Sequence, residues 1–118
     1  MFITKFLEIQ NQLRIFHWQT KSFSEHKALG KAYERLDDLI DSFVETYFGT
    51  NGVRRATKTF DISLSNYDAG GPKKVIDDAI SFLTNELDSL VQGNTDLLNT
   101  RDDMLSLMHH TKYLLTLK

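Results

Sequence analysis

Apolar residues recur at spacings of three and four along four segments of the chain, and this periodicity restricts the fold more than any other feature. Residues with these spacings lie on one face of an α-helix, and such a face packs toward a core. The chain is therefore predicted to be all-α. The apolar face of the first segment consists of Phe6, Ile9, Leu13, Phe16 and Thr20.

The second segment predicts a helix from about Ser24 to Phe48. Ser22 or Ser24 is expected to cap it, because a hydroxyl can accept a hydrogen bond from a free N–H of the first turn. Gly49 and Gly52 are expected to end it, since helices commonly terminate at glycine. Its apolar face consists of Leu29, Tyr33, Leu36, Ile40, Phe43 and Tyr47.

Two further helices are predicted in the second half of the chain. Pro72 suits the first turn of the third helix, and Gly93 ends it. Asn94 or Thr95 caps the fourth helix. The third helix has the apolar residues Ile76, Ala79, Ile80, Leu83, Leu87, Leu90 and Val91, and the fourth has Leu98, Leu105, Met108 and Leu115.

Residues 51–71 predict a long connection between the second and third helices. One short helix or turn is expected within it, packed by Phe60, Ile62 and Leu64. Two long helices, a long link and two helices joined by a tight turn predict a ferritin-like four-helix bundle with one long crossover between helices two and three. Another up-down bundle remains the alternative.

The totals limit the class of protein. A length of 118 residues is that of a single domain, here residues 1–118. The net charge of −2 argues against a chain that coats nucleic acid. The absence of cysteine excludes disulfides, thiolate zinc sites and a cysteine nucleophile. No apolar run approaches about 18 residues and no signal-peptide layout is present, so a cytoplasmic protein outside the membrane is expected.

The second helix carries an acidic stripe beside its apolar face. At about 100° per residue, Glu34, Asp38, Asp41 and Glu45 fall within about 60° of one another. Carboxylates arranged in this way usually form a solvated surface. Asp38, Asp41 and Glu45 have almost no opposite charge three or four residues further along the helix, so they repel one another. A cation or a partner surface would relieve that repulsion.

Histidines provide nitrogen ligands that could bind a metal ion together with these carboxylates. His17 and His26 flank the turn between the first two helices, and imidazole with carboxylate suits iron, manganese or zinc. A di-iron centre within one bundle requires Glu-x-x-His on two helices. His109 and His110 lie on the fourth helix, but no histidine has an acid three residues before it. The residues at those positions are Arg14, Phe23, Ser106 and Leu107.

Spacing places any such site between two chains. Asp41 follows His26 by 15 residues (41 − 26), or about 22 Å of helix, so both cannot bind one ion within a chain. Two copies related by a twofold axis near Glu34 or Arg35 bring His26 beside the partner subunit's Asp41 and the partner subunit's Glu45. His17 lies level with His26, and the symmetry creates two sites.

These residues resemble a known signature. His17-Trp18, His26 and Asp41-x-x-x-Glu45 are similar to the ferroxidase motif of the Dps-type mini-ferritins. The spacing of 15 from the second histidine is kept, whereas His17 and His26 are nine residues apart (26 − 17) instead of the family's usual twelve. A deletion of three residues in the turn accounts for the difference. The segment 17–23, His-x-x-Thr-Lys-Ser-Phe, also resembles short phage-encoded proteins.

The resemblance implies a ferroxidase function. His17 and His26 would bind iron from one subunit and Asp41 and Glu45 from its twofold partner, with one or two irons per site. Trp18 would lie beside the site. Family members oxidise Fe²⁺ with peroxide or O₂ and store ferric mineral inside a hollow shell of twelve subunits.

Two departures and two alternatives accompany the resemblance. The family often has an acid where this chain has Gly30, a loss that Asp37 and Asp38 could offset. The lysine-rich N-terminal tail is missing, which disfavours DNA binding. The alternative function is a non-catalytic helical dimer or assembly protein that retains a ferritin-like fold. A hydrolytic metal site is a weaker possibility, because no oxyanion-binding group is evident.

Overall fold

The computed structural model describes residues 2–52, 54–55, 57–68 and 70–117, and over these residues the chain is helical with no strand, which confirms the all-α prediction. The predicted domain limits, residues 1 and 118, and positions 53, 56 and 69 of the predicted connection lie outside the described residues. None of the described helices combines the length and the apolar character that crossing a membrane requires. The elements are α1 (Phe2–Gln19), α2 (Phe23–Asn51), α3 (Gly71–Ser81), a π-helical turn (Phe82–Glu86), α4 (Asp88–Val91) and α5 (Thr95–Leu114).

The helices pack around one apolar core. α1 contacts α2 and α3, and α5 contacts α2 and α3 in turn. Burial of these apolar faces is the main source of stability in such a fold. Rings meet edge to face at the end of the core remote from the α1–α2 turn, where Phe6 lies 5.3 Å from Phe43 and 5.5 Å from Phe82 between ring centroids. Fully buried side chains include Leu13, Leu29, Ile76, Met104 and Met108.

The N-cap of α2 is Ser22, one of the two predicted candidates. Its side chain accepts a hydrogen bond from the backbone N–H of Glu25 at 3.3 Å. Among the described residues, the Ser24 side chain has one hydrogen-bond partner, the Ser22 hydroxyl at 3.1 Å. The helix ends as predicted near Gly52, which has a φ of 71° and donates its N–H to Phe48. The cap at Ser22 therefore defines where the short turn after α1 ends and α2 begins.

Ser22→Ala is expected to lower the free energy of unfolding by about 1 kcal/mol, because a first-turn N–H of α2 loses its acceptor. Chemical denaturation monitored by circular dichroism measures this change. Ser24→Ala is the matched control and should change stability by less than half as much. Equal losses in the two variants would contradict the assignment of Ser22 as the cap.

The third helix differs from its prediction. The sequence pattern indicated one continuous helix from Pro72 to Val91, but a π-helical turn interrupts it. Arg101 of α5 is buried and donates its Nη1–H to the Leu83 carbonyl at 3.0 Å. The Leu87 N–H, which would bind that carbonyl in an α-helix, instead donates to Phe82 five residues back at 3.2 Å. A side chain from another helix thus satisfies the carbonyl that the π-turn leaves without a donor in its own helix.

The connection between α2 and α3 also differs from its prediction. Its described residues form no helix, and Phe60, Ile62 and Leu64 are 38–50% exposed. The segment runs along α1, where Gln12 donates to the Ser65 carbonyl and accepts from the Ser65 N–H at 2.7 and 2.8 Å. Hydrogen bonds from polar side chains of α1 therefore hold this segment.

The end of the connection is tied to the start of α2. The Tyr67 hydroxyl donates a hydrogen bond to Glu25 at 2.7 Å, and Thr20 donates to the same oxygen at 2.8 Å. The bond to Glu25 raises the pKa of the Tyr67 phenol above its usual value, with smaller contributions from burial and from the charge of Glu25. This contact joins the connection to the α1–α2 turn, beside the predicted histidines.

Candidate metal centre

His17 and His26 lie face to face at the α1–α2 turn. Their ring centroids are 3.8 Å apart and their planes differ by 15°. The His17 Nδ1–H donates to the backbone carbonyl of His26 at 2.7 Å, and the His26 Nδ1–H donates to the carbonyl of His17 at 2.8 Å. The structure thus brings together His17 and His26, the two ligands that a single chain is predicted to contribute to any one site.

These hydrogen bonds determine the tautomer of each ring. A carbonyl can only accept, so each Nδ1 carries a proton, and Nε2 of each neutral ring keeps its lone pair. Histidines that bind metal ions commonly donate their other N–H to a carbonyl or carboxylate, which orients the ring. In the neutral form of each ring, Nε2 is therefore the nitrogen that can bind a metal ion.

Gly30 provides the surface against which the His17 ring rests. A Cβ at position 30 would lie 2.8 Å from His17 Cε1 and 3.1 Å from Nδ1. Tyr33, one turn further along α2, contacts the same ring edge to face at 5.3 Å. An acid at position 30, as in the Dps-type family, would displace His17. The sequence showed Gly30 only as a missing acid, because the close approach is visible only in three dimensions.

Gly30→Ala is expected to lower the free energy of unfolding by about 1–3 kcal/mol, since the new methyl group forces His17 away from its position. The measurement is denaturant unfolding together with NMR shifts of the two imidazole rings, which should lose the ring-current effect of stacking.

Gly49→Ala is the matched control for this prediction. Position 49 is also in α2, and a methyl group there would meet no described residue beyond its own stretch of helix within 4 Å. Alanine at this position should stabilise the protein by about 0.5–1 kcal/mol, because it restricts the unfolded chain. A stabilising effect of the same sign in Gly30→Ala would show that His17 does not depend on this close approach.

Arg14 places a positive charge beside the histidine pair. Its guanidinium carbon lies 4.9 Å from the centroid of the Tyr33 ring, a cation–π distance. Its Nε is buried and forms no hydrogen bond within the described part of the chain. An acidic group from outside the chain would be complementary to this charge.

Two exposed aromatic residues flank the histidines. Trp18 was predicted to lie beside the site and is 66% exposed, and Phe23 is 74% exposed. The Phe23 ring is near-parallel to His26 with centroids 6.5 Å apart. Large apolar side chains grouped at a surface are typical of positions that another protein covers.

The predicted carboxylate ligands lie elsewhere. Asp41 and Glu45 are exposed on α2, about 22 and 28 Å along the helix from His26. Neither side chain makes a hydrogen bond or ion pair to any described residue, and the same holds for Asp38. Within the described ranges, no three His, Asp or Glu residues are grouped closely enough to hold a metal ion. One chain thus contains the histidine pair without carboxylates.

The remaining candidates have ordinary surroundings. Asp37 accepts a hydrogen bond of 2.6 Å from Gln10 and joins α2 to α1. His109 and His110 are exposed on α5, and the ring of His110 lies 6.4 Å from that of Tyr113. The structure therefore gives Asp37 a role in helix packing, and among the described residues no acid forms an ion pair with His109 or His110.

Comparison with known proteins assigns a family. The chain belongs to the family of unknown function DUF5856, whose model matches residues 17–115. This range includes His17, His26, Asp41 and Glu45. The chain is also 32% identical over 105 residues to the uncharacterized 14.6 kDa protein of the mobD–ri intergenic region of Enterobacteria phage T4, covering 86% of this chain and 75% of the phage protein. No solved structure matches the chain significantly.

Proposed function

We propose that this protein is a ferritin-like four-helix bundle that binds and oxidises Fe²⁺ at sites shared between two copies of the chain. The packing supports the topology: α1, α2, α5 and α3 follow one another around the core, and the long connection joins α2 to α3. A bundle with one long crossover has this order.

The stacked, carbonyl-anchored pair of His17 and His26 is the observation that carries the proposal. Histidines that bind metal ions commonly have their other N–H bound to a carbonyl or carboxylate, which fixes the tautomer and orients the ring. Here each Nδ1–H is bound to a carbonyl, and Nε2 of both rings makes no hydrogen bond to any described residue. The exposed rings of Trp18 and Phe23 beside them provide apolar surface that a second copy would cover.

The relative orientation of the rings favours two iron ions per site. An ion bound to imidazole lies near the ring plane, about 2 Å from the nitrogen. The two rings are stacked with centroids 3.8 Å apart and planes that differ by 15°, so the planes meet only much farther from the rings, and one ion cannot bind both rings as they stand. Each ring can hold its own ion, and catalytic ion pairs are about 3.5–4 Å apart.

The acidic stripe supplies the missing ligands. Among the described residues, Asp41 and Glu45 have no hydrogen-bond or ion-pair partner. Antiparallel packing about an axis near Glu34 or Arg35 places them beside the histidines of the other copy. The partner subunit's Asp38 then lies at about the level of Arg14, whose Nε has no hydrogen-bond partner among the described residues. Bound Fe²⁺ relieves the repulsion along the stripe, and the partner's carboxylate compensates the charge of Arg14.

The chemistry of the site follows from its ligands. Carboxylate oxygens neutralise the charge of bound Fe²⁺ and favour the ferric state, since hard anionic ligands prefer the higher charge. Two Fe²⁺ ions supply the two electrons that one H₂O₂ accepts, so a paired site suits peroxide as oxidant. In a larger hollow shell the ferric product would be stored as mineral.

Anaerobic titration with Fe²⁺, followed by addition of peroxide, tests the proposal. Calorimetry measures the affinity, and absorbance measures the ferric product. His17→Ala should weaken binding by at least about tenfold, a loss that is typical even of residues that only orient a ligand. His109→Ala is the control and should bind as the wild type does. Absence of Fe²⁺ binding by the wild-type protein would refute the function.

A non-catalytic helical dimer is the second candidate, and the same hydrogen bonds favour it. Because His17 and His26 each bind the other's backbone, they also fasten α1 to α2 without any metal. This role predicts that His17→Ala destabilises the fold while the wild-type protein binds no Fe²⁺. The titration and a denaturation curve therefore separate the two candidates.

A further inference from the structure

The connection between α2 and α3 contains a strand-like sequence in an all-α chain. Apolar and polar residues alternate strictly over Phe60-Asp61-Ile62-Ser63-Leu64-Ser65. A period of two is typical of a β-strand with one apolar face, and it does not suit a helix. Between bends at Lys58 and Tyr67 the chain is neither helix nor turn.

One edge of this segment is occupied by α1. The N–H groups of three alternate residues, Ser63, Ser65 and Tyr67, donate to side chains of that helix. Their acceptors are Glu8 at 3.2 Å, Gln12 at 2.8 Å and Gln19 at 2.6 Å, respectively. Alternate N–H groups point to the same side only in an extended chain. The helix thus replaces a neighbouring strand along this edge.

The opposite edge is free. In an extended chain the N–H groups of Ile62, Leu64 and Asn66 point away from α1, and among the described residues they have no hydrogen-bond partner. No backbone group of residues 60–67 bonds another described backbone group. The side chains of Ile62 and Leu64 remain 39% and 38% exposed, and that of Phe60 50%. A free edge with apolar side chains is a template for another strand.

We propose that this edge pairs with the same segment of a second copy, antiparallel about a twofold axis at Ser63. The even-numbered residues carry both the free backbone groups and the apolar side chains, so only registers that pair even with even residues are possible. About Ser63, Ile62 lies opposite the partner subunit's Leu64 and Phe60 opposite the partner subunit's Asn66. Apolar side chains then meet on one face of the ribbon.

Charges at the two ends of the segment select this orientation. Lys58 precedes the segment and Asp68 follows it, and both are exposed. Antiparallel pairing about Ser63 brings the end that carries Lys58 toward the partner subunit's end that carries the partner subunit's Asp68, whereas parallel pairing brings like charges together. Opposite charges on paired strands stabilise a ribbon and like charges destabilise it. A second copy is therefore complementary to the edge in backbone, apolar surface and charge.

The absence of cysteine from the chain permits a direct test by crosslinking. Ser63 faces its own copy in a pair that lacks backbone hydrogen bonds, where Cα atoms lie about 4.5 Å apart, within disulfide range. Ser63→Cys should form a disulfide-linked dimer under mild oxidation, at least tenfold faster than Ser65→Cys. In this register residue 65 faces the partner subunit's Asp61. Two Cys side chains at position 65 of the two copies are therefore about 13 Å apart.

Hydrogen exchange of the unmodified protein gives a second readout. The amides of Ser63 and Ser65 should be protected at all concentrations, whereas those of Ile62 and Leu64 should become protected only as the concentration rises. Ile62→Lys should abolish this concentration-dependent protection. Equal crosslinking of the two cysteine variants, no crosslinking, or exchange independent of concentration would each overturn the proposal and leave the edge to a different partner. Because these readouts report residues 62–65 directly, failure of the iron site would not affect them.

Discussion

Fe²⁺ binding is expected to disappear from two different double variants and to return when their subunits are combined. One variant is His17→Ala/His26→Ala, and the other is Asp41→Ala/Glu45→Ala. In a heterodimer of the two, the intact histidines of one subunit face the intact carboxylates of the other at one site, and the second site has neither. Binding should therefore reach half of the wild-type stoichiometry, as measured by calorimetry on heterodimers purified through two affinity tags.

Two kinds of control accompany this experiment: the homodimers of each double variant and a double variant of the histidines on α5. Each homodimer of a double variant should bind less than a tenth of the wild-type amount, and each should remain helical by circular dichroism. His109→Ala/His110→Ala controls for the loss of histidine in general, because it removes two histidines of α5 and should still bind fully. If the heterodimer binds no more than its parents, the site is not shared between subunits in this way.

Arg101→Met is expected to lower the free energy of unfolding by about 2–3 kcal/mol. The substitution keeps most of the side-chain volume but leaves the buried Leu83 carbonyl without its donor, a cost of about 1–3 kcal/mol, and removes a charged hydrogen bond. The Arg101 side chain is 11% exposed, so water replaces it poorly. Urea denaturation followed by far-ultraviolet circular dichroism measures the loss.

Asp102→Asn is the matched control for Arg101. Asp102 accepts from Arg101 Nε at 2.9 Å, but its side chain is 57% exposed, so this ion pair is worth less than about 1 kcal/mol. The Leu83 bond remains in the control. Equal losses in the two variants would mean that the ion pair, and not the carbonyl contact, stabilises α5 against the π-turn.

The sequence predicted the helices because their apolar spacing is a local property. It also predicted that His17 and His26 meet, since both flank a short turn between antiparallel helices. It did not predict the π-turn, because Arg101 is 18 residues from Leu83 (101 − 83) and arginine is a residue type usually found at the surface. The extended course of residues 60–67 was missed for a related reason: its hydrogen-bond partners are polar side chains of α1.

The sequence by itself determined that the chain is helical and that no histidine of α2 can share an ion with Asp41 of the same chain. Helical rise and residue spacing suffice for both statements. Only the tertiary structure decided how the histidines are held. The reciprocal Nδ1–H bonds, the close approach to Gly30 and the stacking depend on how α1 packs against α2, and no pattern of residue types encodes those distances.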